Sequence, residues 1–249
     1  MKKYLSLGLV GLVWAGLAAP AFAATVPVAV AANFTAVAEE LAKGFAAKTG
    51  NELQLSFGSS GQLYTQISQG APFEIFLSAD TARTDKAVAE GLGVEGSNFT
   101  YAVGKIVLYS TSLDLSDGEA VLKGGDFDKL SIADPKAAPY GAAAMETLDK
   151  LGLTEAVTPK IVTAENISQA LQFVESGSAE LGFVALSQVI DSDNSKWIVP
   201  AELYSPIAQG AVLLKTGEND DAAKAFLDYL RSDEAVAVIE KAGYGVEKQ

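Results

Sequence analysis

Short apolar runs and amphipathic segments alternate along most of the chain. An apolar run of about four to eight residues is typical of a buried strand, whereas apolar residues recurring every three or four positions indicate a helix. On this basis strands are predicted at residues 26–31, 52–57, 73–78, 105–110, 131–133, 160–162, 181–186 and 208–214. Helices are predicted at residues 36–48, 61–69, 84–91, 142–151, 168–176, 220–230 and 234–241.

This alternation predicts an α/β protein with largely parallel sheets. The sequence contains no internal repeat, no low-complexity tract and no linker rich in Pro or Ser. Two lobes, if present, must therefore be joined by short strand crossings. We expect the crossings near Gly104 and at residues 204–207, so that residues 24–104 and 205–249 form the first lobe and residues 105–204 the second.

The first 23 residues have the pattern of a secretory signal peptide. Lys2 and Lys3 precede an apolar run at residues 4–17, and Ala21-Phe22-Ala23 supplies a small-x-small cleavage pattern. The run is short for a bilayer span of about 20 residues, which argues against a membrane anchor. We expect cleavage after Ala23 and export of a soluble protein to the periplasm.

The composition excludes several kinds of chemistry. The 249 residues include no His and no Cys, and 31 acidic against 18 basic residues give a formal net charge of −13. Without imidazole and thiol groups there is no Ser-His-Asp or Cys-His catalytic set, no iron–sulfur cluster, no disulfide and no zinc site built on these ligands. An acidic surface also disfavours nucleic-acid binding, which depends on basic side chains.

Four predicted strand-to-helix junctions carry small polar residues. In open α/β sheets ligands bind at the carboxyl ends of strands, where helix N-termini offer unpaired N–H groups and a partial positive charge. None of the four contributes Lys or Arg, so together they would hold an anion with neutral donors. The junctions are Ala31-Ala32-Asn33-Phe34-Thr35, Gly58-Ser59-Ser60-Gly61, Pro139-Tyr140-Gly141 and Glu165-Asn166-Ile167-Ser168.

Each junction also has an ordinary structural interpretation. Ser59 followed by Gln62, and Asn166 followed by Gln169, fit the pattern of helix caps. The functional interpretation is favoured only by the four junctions together, because an α/β fold would bring them towards one crevice. Asp80 and Asp134 also follow strands, but we expect them to order their own loops.

Several motifs, in order along the mature chain, resemble the periplasmic molybdate-binding proteins of ABC importers. Besides the first junction, they are Ser56-Phe57-Gly58-Ser59-Ser60-Gly61, the segment Gly70-Ala71-Pro72-Phe73-Glu74-Ile75-Phe76-Leu77-Ser78-Ala79-Asp80, Asp134-Pro135 with Pro139-Tyr140-Gly141, and Ala164-Glu165-Asn166. The resemblance implies a two-lobed periplasmic binding protein of the type II-like class, each lobe a mostly parallel sheet flanked by helices. It also implies a monomer, without enzymatic activity or cofactor, that delivers molybdate or tungstate to a membrane permease.

The resemblance assigns the oxyanion contacts to residues of both lobes. It implies a side-chain donor at Asn33, a hydroxyl donor at Ser60 with Ser59 beside it, and backbone amides at Tyr140 and Ile167. Molybdenum would be held only within the bound oxyanion. Some relatives supply a Tyr hydroxyl at the position of Ala185, so Tyr140 or another group must compensate, or the site makes fewer bonds.

Two alternatives remain open from the sequence. The first is a binding protein for sulfate, thiosulfate or another small anion, because neutral donors suit any ionised oxyanion. The second is an exported hydrolase that uses a pair of carboxylates. It is less favoured, because no junction presents two acids to a cleft and the usual general base, His, is absent.

Overall fold

The computed structural model describes residues 24–246, so the predicted signal peptide and its cleavage site lie outside the described residues. The strands are β1 Thr25–Ala31, β2 Glu52–Gly58, β3 Ile75–Leu77, β4 Phe99–Gly104, β5 Ile106–Ser110, β6 Leu130–Ala133, β7 Ile161–Ala164, β8 Leu181–Ala185, β9 Ser195–Ile198 and β10 Ile207–Leu213. The helices are α1 Thr35–Thr49, α2 Ser60–Ser68, α3 Thr81–Ala89, α4 Gly118–Gly124, α5 Pro139–Lys150, α6 Thr154–Val157, α7 Ile167–Glu175, α8 Leu186–Val189, α9 Asp221–Leu230 and α10 Asp233–Lys241.

The strands form two five-stranded sheets flanked by helices. The first sheet has the order β2-β1-β3-β10-β4 and the second the order β7-β6-β8-β5-β9. In each sheet three strands are parallel, and two further strands add antiparallel pairs. The predicted α/β class with two sheets is confirmed. The strands in antiparallel pairs include all four that lie next to the points where the chain passes between the sheets, namely β4, β5, β9 and β10.

Burial explains why these segments form strands and helices. The residues of β5 and β8 are buried throughout, as expected for strands covered on both faces. Helix α9 buries Phe226 against Phe45 of α1, with ring centroids 5.3 Å apart in an edge-on arrangement. The larger hydrophobic clusters centre on one sheet each, so each sheet has its own core.

Five strands and α-helices were not predicted from the sequence, namely β4, α4, α6, α8 and β9. The burial of β4 is irregular, since two of its first three residues are only half-buried, and this weakens the apolar pattern. Helix α3 begins at Thr81, earlier than predicted, because the Asp80 side chain caps it by accepting a hydrogen bond from Arg83 N at 2.9 Å.

The chain passes between the sheets at two places. Lys105 joins β4 to β5, and residues 199–206 join β9 to β10. The strands of the first sheet come from residues 25–104 and 207–213, and those of the second from residues 106–198. We propose these two crossings as the hinge and retain the predicted lobe boundaries. Within residues 24–246, no helix combines the length and apolar character that crossing a bilayer requires.

Candidate anion-binding site

A small cavity lies between the two lobes, at the carboxyl ends of strands from both sheets. All five residues predicted to contact an oxyanion line it, and all five are buried. No ionisable carboxylate, Lys or Arg is among the residues that line this cavity. The complete lining is Ala31, Ala32, Asn33, Gly58, Ser59, Ser60, Ala79, Ala138, Pro139, Tyr140 and Ile167.

Asn33 lies in a short 3-10 helix, Ala32–Phe34, between β1 and α1. Its Nδ2 donates to Gln209 Oε1 at 2.8 Å and to the Tyr244 hydroxyl at 3.0 Å. Both amide hydrogens are therefore used within the protein, which differs from the side-chain donor that the resemblance implies. The backbone N–H of Asn33 lies in the first turn of its helix, where intrahelical partners are lacking.

Ser59 connects β2 to α2, and Ser60 is the first residue of α2. Ser59 is the N-cap, and its Oγ accepts a hydrogen bond from Gln62 N at 3.4 Å. Ser60 Oγ accepts one from Ala79 N at 2.9 Å. Because each hydroxyl carries one hydrogen besides its acceptor lone pairs, both serines retain a proton that they can donate to a ligand.

Tyr140 lies in the first turn of α5, directly after Pro139. Pro139 occupies the first helical position, where its lack of an N–H costs nothing, and Ala138 provides no side-chain cap. Gly141 N and Ala142 N both donate to Ala138 O, at 2.9 and 3.1 Å. The Tyr140 N–H is thus the first-turn amide that remains available at the cavity.

Ile167 begins α7 and is placed by the cap before it. The Asn166 side chain accepts hydrogen bonds from Ser168 N and Gln169 N, each at 3.0 Å. Gln169 Oε1 in turn accepts one from Glu165 N at 2.7 Å, so the predicted cap is present. The cap occupies the next two amides and leaves the Ile167 N–H free to face the cavity.

The site is electrostatically suited to an anion although it carries no formal positive charge. Three α-helices and one 3-10 helix begin at its wall, and a helix N-terminus carries a partial positive charge. Burial and the neighbouring hydroxyls of Tyr244 and Tyr101 raise the pKa of Tyr140 well above its ordinary value. The phenol is therefore neutral and does not add a negative charge beside the cavity.

The two lobes are in contact around the cavity, as expected for a closed form. Gly61 N donates to Ala137 O at 2.8 Å, and Ser168 Oγ donates to Ala32 O at 3.2 Å. Arg83, whose guanidinium also pairs with Asp80, donates from Nη2 to Lys136 O at 3.1 Å. These bonds join opposite lobes at the rim, so the cavity is open to its ligand only if the lobes separate.

Two acids that follow strands have structural roles. Asp80 caps α3, and Asp134 Oδ1 accepts a hydrogen bond from Lys136 N at 3.0 Å within its turn. Neither lines the cavity between the lobes. The carboxylate pair that a hydrolase would need is thus missing from the cavity wall.

Compensation by Tyr140 or another group for the missing hydroxyl at Ala185 stays a prediction. Ala185 ends β8, and its N–H donates to Gln188 Oε1 at 3.0 Å. The Tyr140 hydroxyl accepts a hydrogen bond from Gln209 Nε2 at 3.2 Å. Gln209 was not singled out from the sequence, although a polar residue inside the apolar strand β10 was a signal that could have revealed it.

The family model of the bacterial extracellular solute-binding proteins matches residues 26–245. The chain belongs to this family. It is 56% identical to the molybdate-binding protein ModA of Rhodobacter capsulatus over 93% of this chain and 92% of that protein. It is 52% identical to ModA of Azotobacter vinelandii over 93% of this chain and 94% of that protein.

The structural comparison agrees with the family assignment. The solved structure of the Azotobacter vinelandii periplasmic molybdate-binding protein superposes with a TM-score of 0.86, at 40% identity, over 90% of this chain and all of that one. The family resemblance and the two-lobed binding-protein fold predicted from the sequence are therefore confirmed. These relatives are solute-binding proteins and not enzymes.

Proposed function

We propose that this protein captures molybdate or tungstate in the periplasm and delivers it to the membrane permease of an ABC importer. The observation that carries this proposal is the cavity itself, which is buried between two lobes and surrounded by hydrogen-bond donors without an ionised group. Two relatives more than half identical to this chain are named as molybdate-binding proteins, which supports molybdate as the oxyanion.

The proposed contacts come from both lobes. The first lobe provides the Asn33 N–H and the hydroxyls of Ser59 and Ser60, and the second provides the N–H groups of Tyr140 and Ile167. A dianion buried without hydrogen bonds is strongly disfavoured, so the closed lobes must provide donors to its oxygens. The Asn33 contact is proposed through the backbone, because the side-chain amide is already bonded.

A wall made of donors would also provide selectivity. A protonated oxyanion such as hydrogenphosphate brings a hydrogen that needs an acceptor. The proposed contacts offer N–H groups and two serine hydroxyls, each of which already accepts one hydrogen bond, from Ala79 N or Gln62 N. Fully ionised oxyanions are therefore favoured. Cavity size would separate molybdate and tungstate from the smaller sulfate, but would hardly distinguish the two from each other.

Calorimetric titration of the mature protein with molybdate, tungstate and sulfate tests this function. We expect molybdate and tungstate to bind much more tightly than sulfate. Tighter binding of sulfate would instead support the alternative of a sulfate-type binding protein. Absence of binding by molybdate and tungstate would refute the proposal.

Ser60→Ala tests the site within the same assay. Loss of this hydroxyl leaves a ligand oxygen without its donor, which costs about 1–3 kcal/mol and corresponds to about 5- to 150-fold weaker binding. Ser131→Ala is the matched control, because Ser131 is equally buried but does not line the cavity. Equal affinities of the two variants would exclude Ser60 as a contact.

The remaining parts of the proposal concern export and assembly. Cleavage after Ala23 would release a monomer whose partners are the oxyanion and the permease, with no role for nucleic acid. Mass spectrometry of the secreted protein and light scattering of the purified one would test these two points.

A further inference from the structure

A buried group of polar side chains lies directly behind the cavity and involves both lobes. We call it the Gln209 cluster, and it comprises Gln209, Asn33, Tyr101, Tyr140 and Tyr244. All five side chains are buried, and Gln209 is 0% exposed. Only two of these residues, Asn33 and Tyr140, also line the cavity, so the cluster connects the wall of the site to the interior.

Gln209 is the centre of this cluster. Its Oε1 accepts hydrogen bonds from Asn33 Nδ2 at 2.8 Å and from the Tyr101 hydroxyl at 3.0 Å. Its Nε2 donates to the Tyr140 hydroxyl at 3.2 Å. Both acceptor positions of the carbonyl oxygen are filled, so the orientation of the amide is fixed by its neighbours.

The strand that carries Gln209 has a local irregularity at this point. β10 belongs to the first sheet and begins just after the crossing from the second lobe. The pairing of β10 with β4 shifts in register between Gln209 and Gly210, as in a β-bulge. Bulges re-aim side chains, and this one lies where a side chain reaches residues of both lobes.

Tyr244 reinforces the same arrangement from the C-terminal end of the chain. Its hydroxyl donates to Asn33 O at 2.8 Å and accepts a hydrogen bond from Ser187 Oγ, a residue of the second lobe, at 2.9 Å. Asn33 is thus held by its side-chain amide and by its backbone carbonyl. Its N–H is left with a fixed direction at the cavity.

Asn33 and Tyr140 are proposed ligand donors from opposite lobes, and the side chains of both are hydrogen-bonded to Gln209. Asn33 presents its N–H from the first lobe, and Tyr140 presents its N–H from the second. When the lobes separate, Tyr140 moves away with its lobe and the hydrogen bond from Gln209 to its hydroxyl is lost. The closed form regains this bond together with the ligand contacts.

We propose that Gln209 is a positioning residue that sets the spacing of the Asn33 and Tyr140 donors and stabilises the closed, ligand-holding form without touching the ligand. This inference rests on the proposed function, since it concerns the retention of the same oxyanion.

The hydroxyls of the cluster remain protonated under ordinary conditions. Burial raises the pKa of Tyr101 and Tyr140 well above the usual value, and raises that of Tyr244 to about 12. The hydrogen bonds to Gln209 therefore keep the same donors and acceptors over the pH range in which binding is measured. The contribution of the cluster to affinity should not change across that range.

Tyr140→Phe tests the role of the cluster, because it removes the hydroxyl bonded to Gln209 and leaves the backbone N–H in place. We expect molybdate affinity to fall about tenfold, equivalent to about 1.4 kcal/mol, with most of the change in a faster dissociation rate. Calorimetry gives the affinity, and stopped-flow measurement of ligand release gives the rate.

Tyr109→Phe is the matched control. The Tyr109 hydroxyl is also buried and hydrogen-bonded, to Ser192 Oγ at 3.1 Å and Asn194 Nδ2 at 2.8 Å, but it does not line the cavity. The Tyr109 bonds lie within the second lobe and persist when the lobes separate, so Tyr109→Phe should lower the unfolding temperature of the ligand-free protein at least as much as Tyr140→Phe. Only Tyr140→Phe should accelerate ligand release.

Gln209→Met, alone and combined with Tyr140→Phe, completes a double-mutant cycle. If Gln209 acts through Tyr140, the double variant should bind only slightly more weakly than Gln209→Met. Additive losses, or wild-type affinity and release rate in Tyr140→Phe, would overturn the positioning role while leaving the proposed function intact. Failure of the wild-type protein to bind molybdate would overturn both.

Discussion

Gly61 offers a sharp test of lobe closure, because its backbone packs against Ala137 of the opposite lobe. A Cβ placed on Gly61 would lie 3.0 Å from Ala137 Cα, 3.1 Å from Ala137 O and 3.1 Å from Arg83 Nη2. These contacts are tighter than normal van der Waals contacts, and two of the three involve backbone atoms of the second lobe. Gly61→Ala should therefore disfavour the closed form.

The same substitution should not harm the open form. Gly61 lies in α2 and its backbone conformation is not one that requires glycine, so Ala gains up to about 1 kcal/mol of helix propensity once Ala137 has moved away. In the closed form a shift of a few tenths of an ångström must be accommodated. This places the cost near 1 kcal/mol, the lower end for overpacking, or about fivefold in Kd.

Gly61→Ala is thus expected to weaken ligand binding without lowering the stability of the ligand-free protein. Calorimetry should show weaker molybdate binding, and thermal unfolding of the ligand-free protein should show equal or greater stability. Gly124→Ala is the control, since Gly124 lies in α4 and an added Cβ would meet no atom within 4 Å. Unchanged affinity in Gly61→Ala, or a parallel loss of affinity and ligand-free stability, would refute this account of closure.

Two further predictions concern charge. Burial, and then the neighbouring Asp220 carboxylate, raise the pKa of Glu74 from 4.5 to about 7. Between these two pH values the folded state binds a proton that the unfolded state has lost. The contribution of Glu74 to the free energy of unfolding therefore falls as pH rises from about 4.5 to about 7. Glu74→Gln should remove that loss, so thermal unfolding should show its advantage over wild type growing between about pH 5 and about pH 8. An advantage independent of pH would contradict the raised pKa of Glu74. Added salt should accelerate molybdate association, because the protein carries a net charge of −13 and repels a dianion at long range. Stopped-flow mixing at increasing salt concentration would measure this, and a slower association would be inconsistent with it.

The parts of the fold that could be predicted from sequence are those where one local pattern decides the structure. The apolar run of β1 and the Asn166 cap of α7 are determined by residues close in sequence, so both were found. The strand β9 was missed because three of its four residues are only half-buried and the fourth is exposed, which removes the apolar run that identifies a buried strand.

The sequence predicted which residues come together at the cavity, but not which of their atoms are already bonded within the protein. The five predicted residues line one cavity, because helix starts that follow strands converge in an α/β fold. The sequence could not show that the Asn33 side chain is bonded to Gln209 and Tyr244, which lie 176 and 211 residues further along the chain. Such long-range partners follow from packing and leave no local pattern.

The division of the proposed donors between two lobes has a consequence for delivery. A site built on one rigid body would keep all its contacts until the ligand itself moved. Here, separation of the lobes takes the amides of Tyr140 and Ile167 away from the hydroxyls of Ser59 and Ser60 in a single movement. The dissociation constant depends exponentially on the summed free energy of the contacts. A partner that only separates the lobes would therefore release the ligand, without altering it chemically or competing for it.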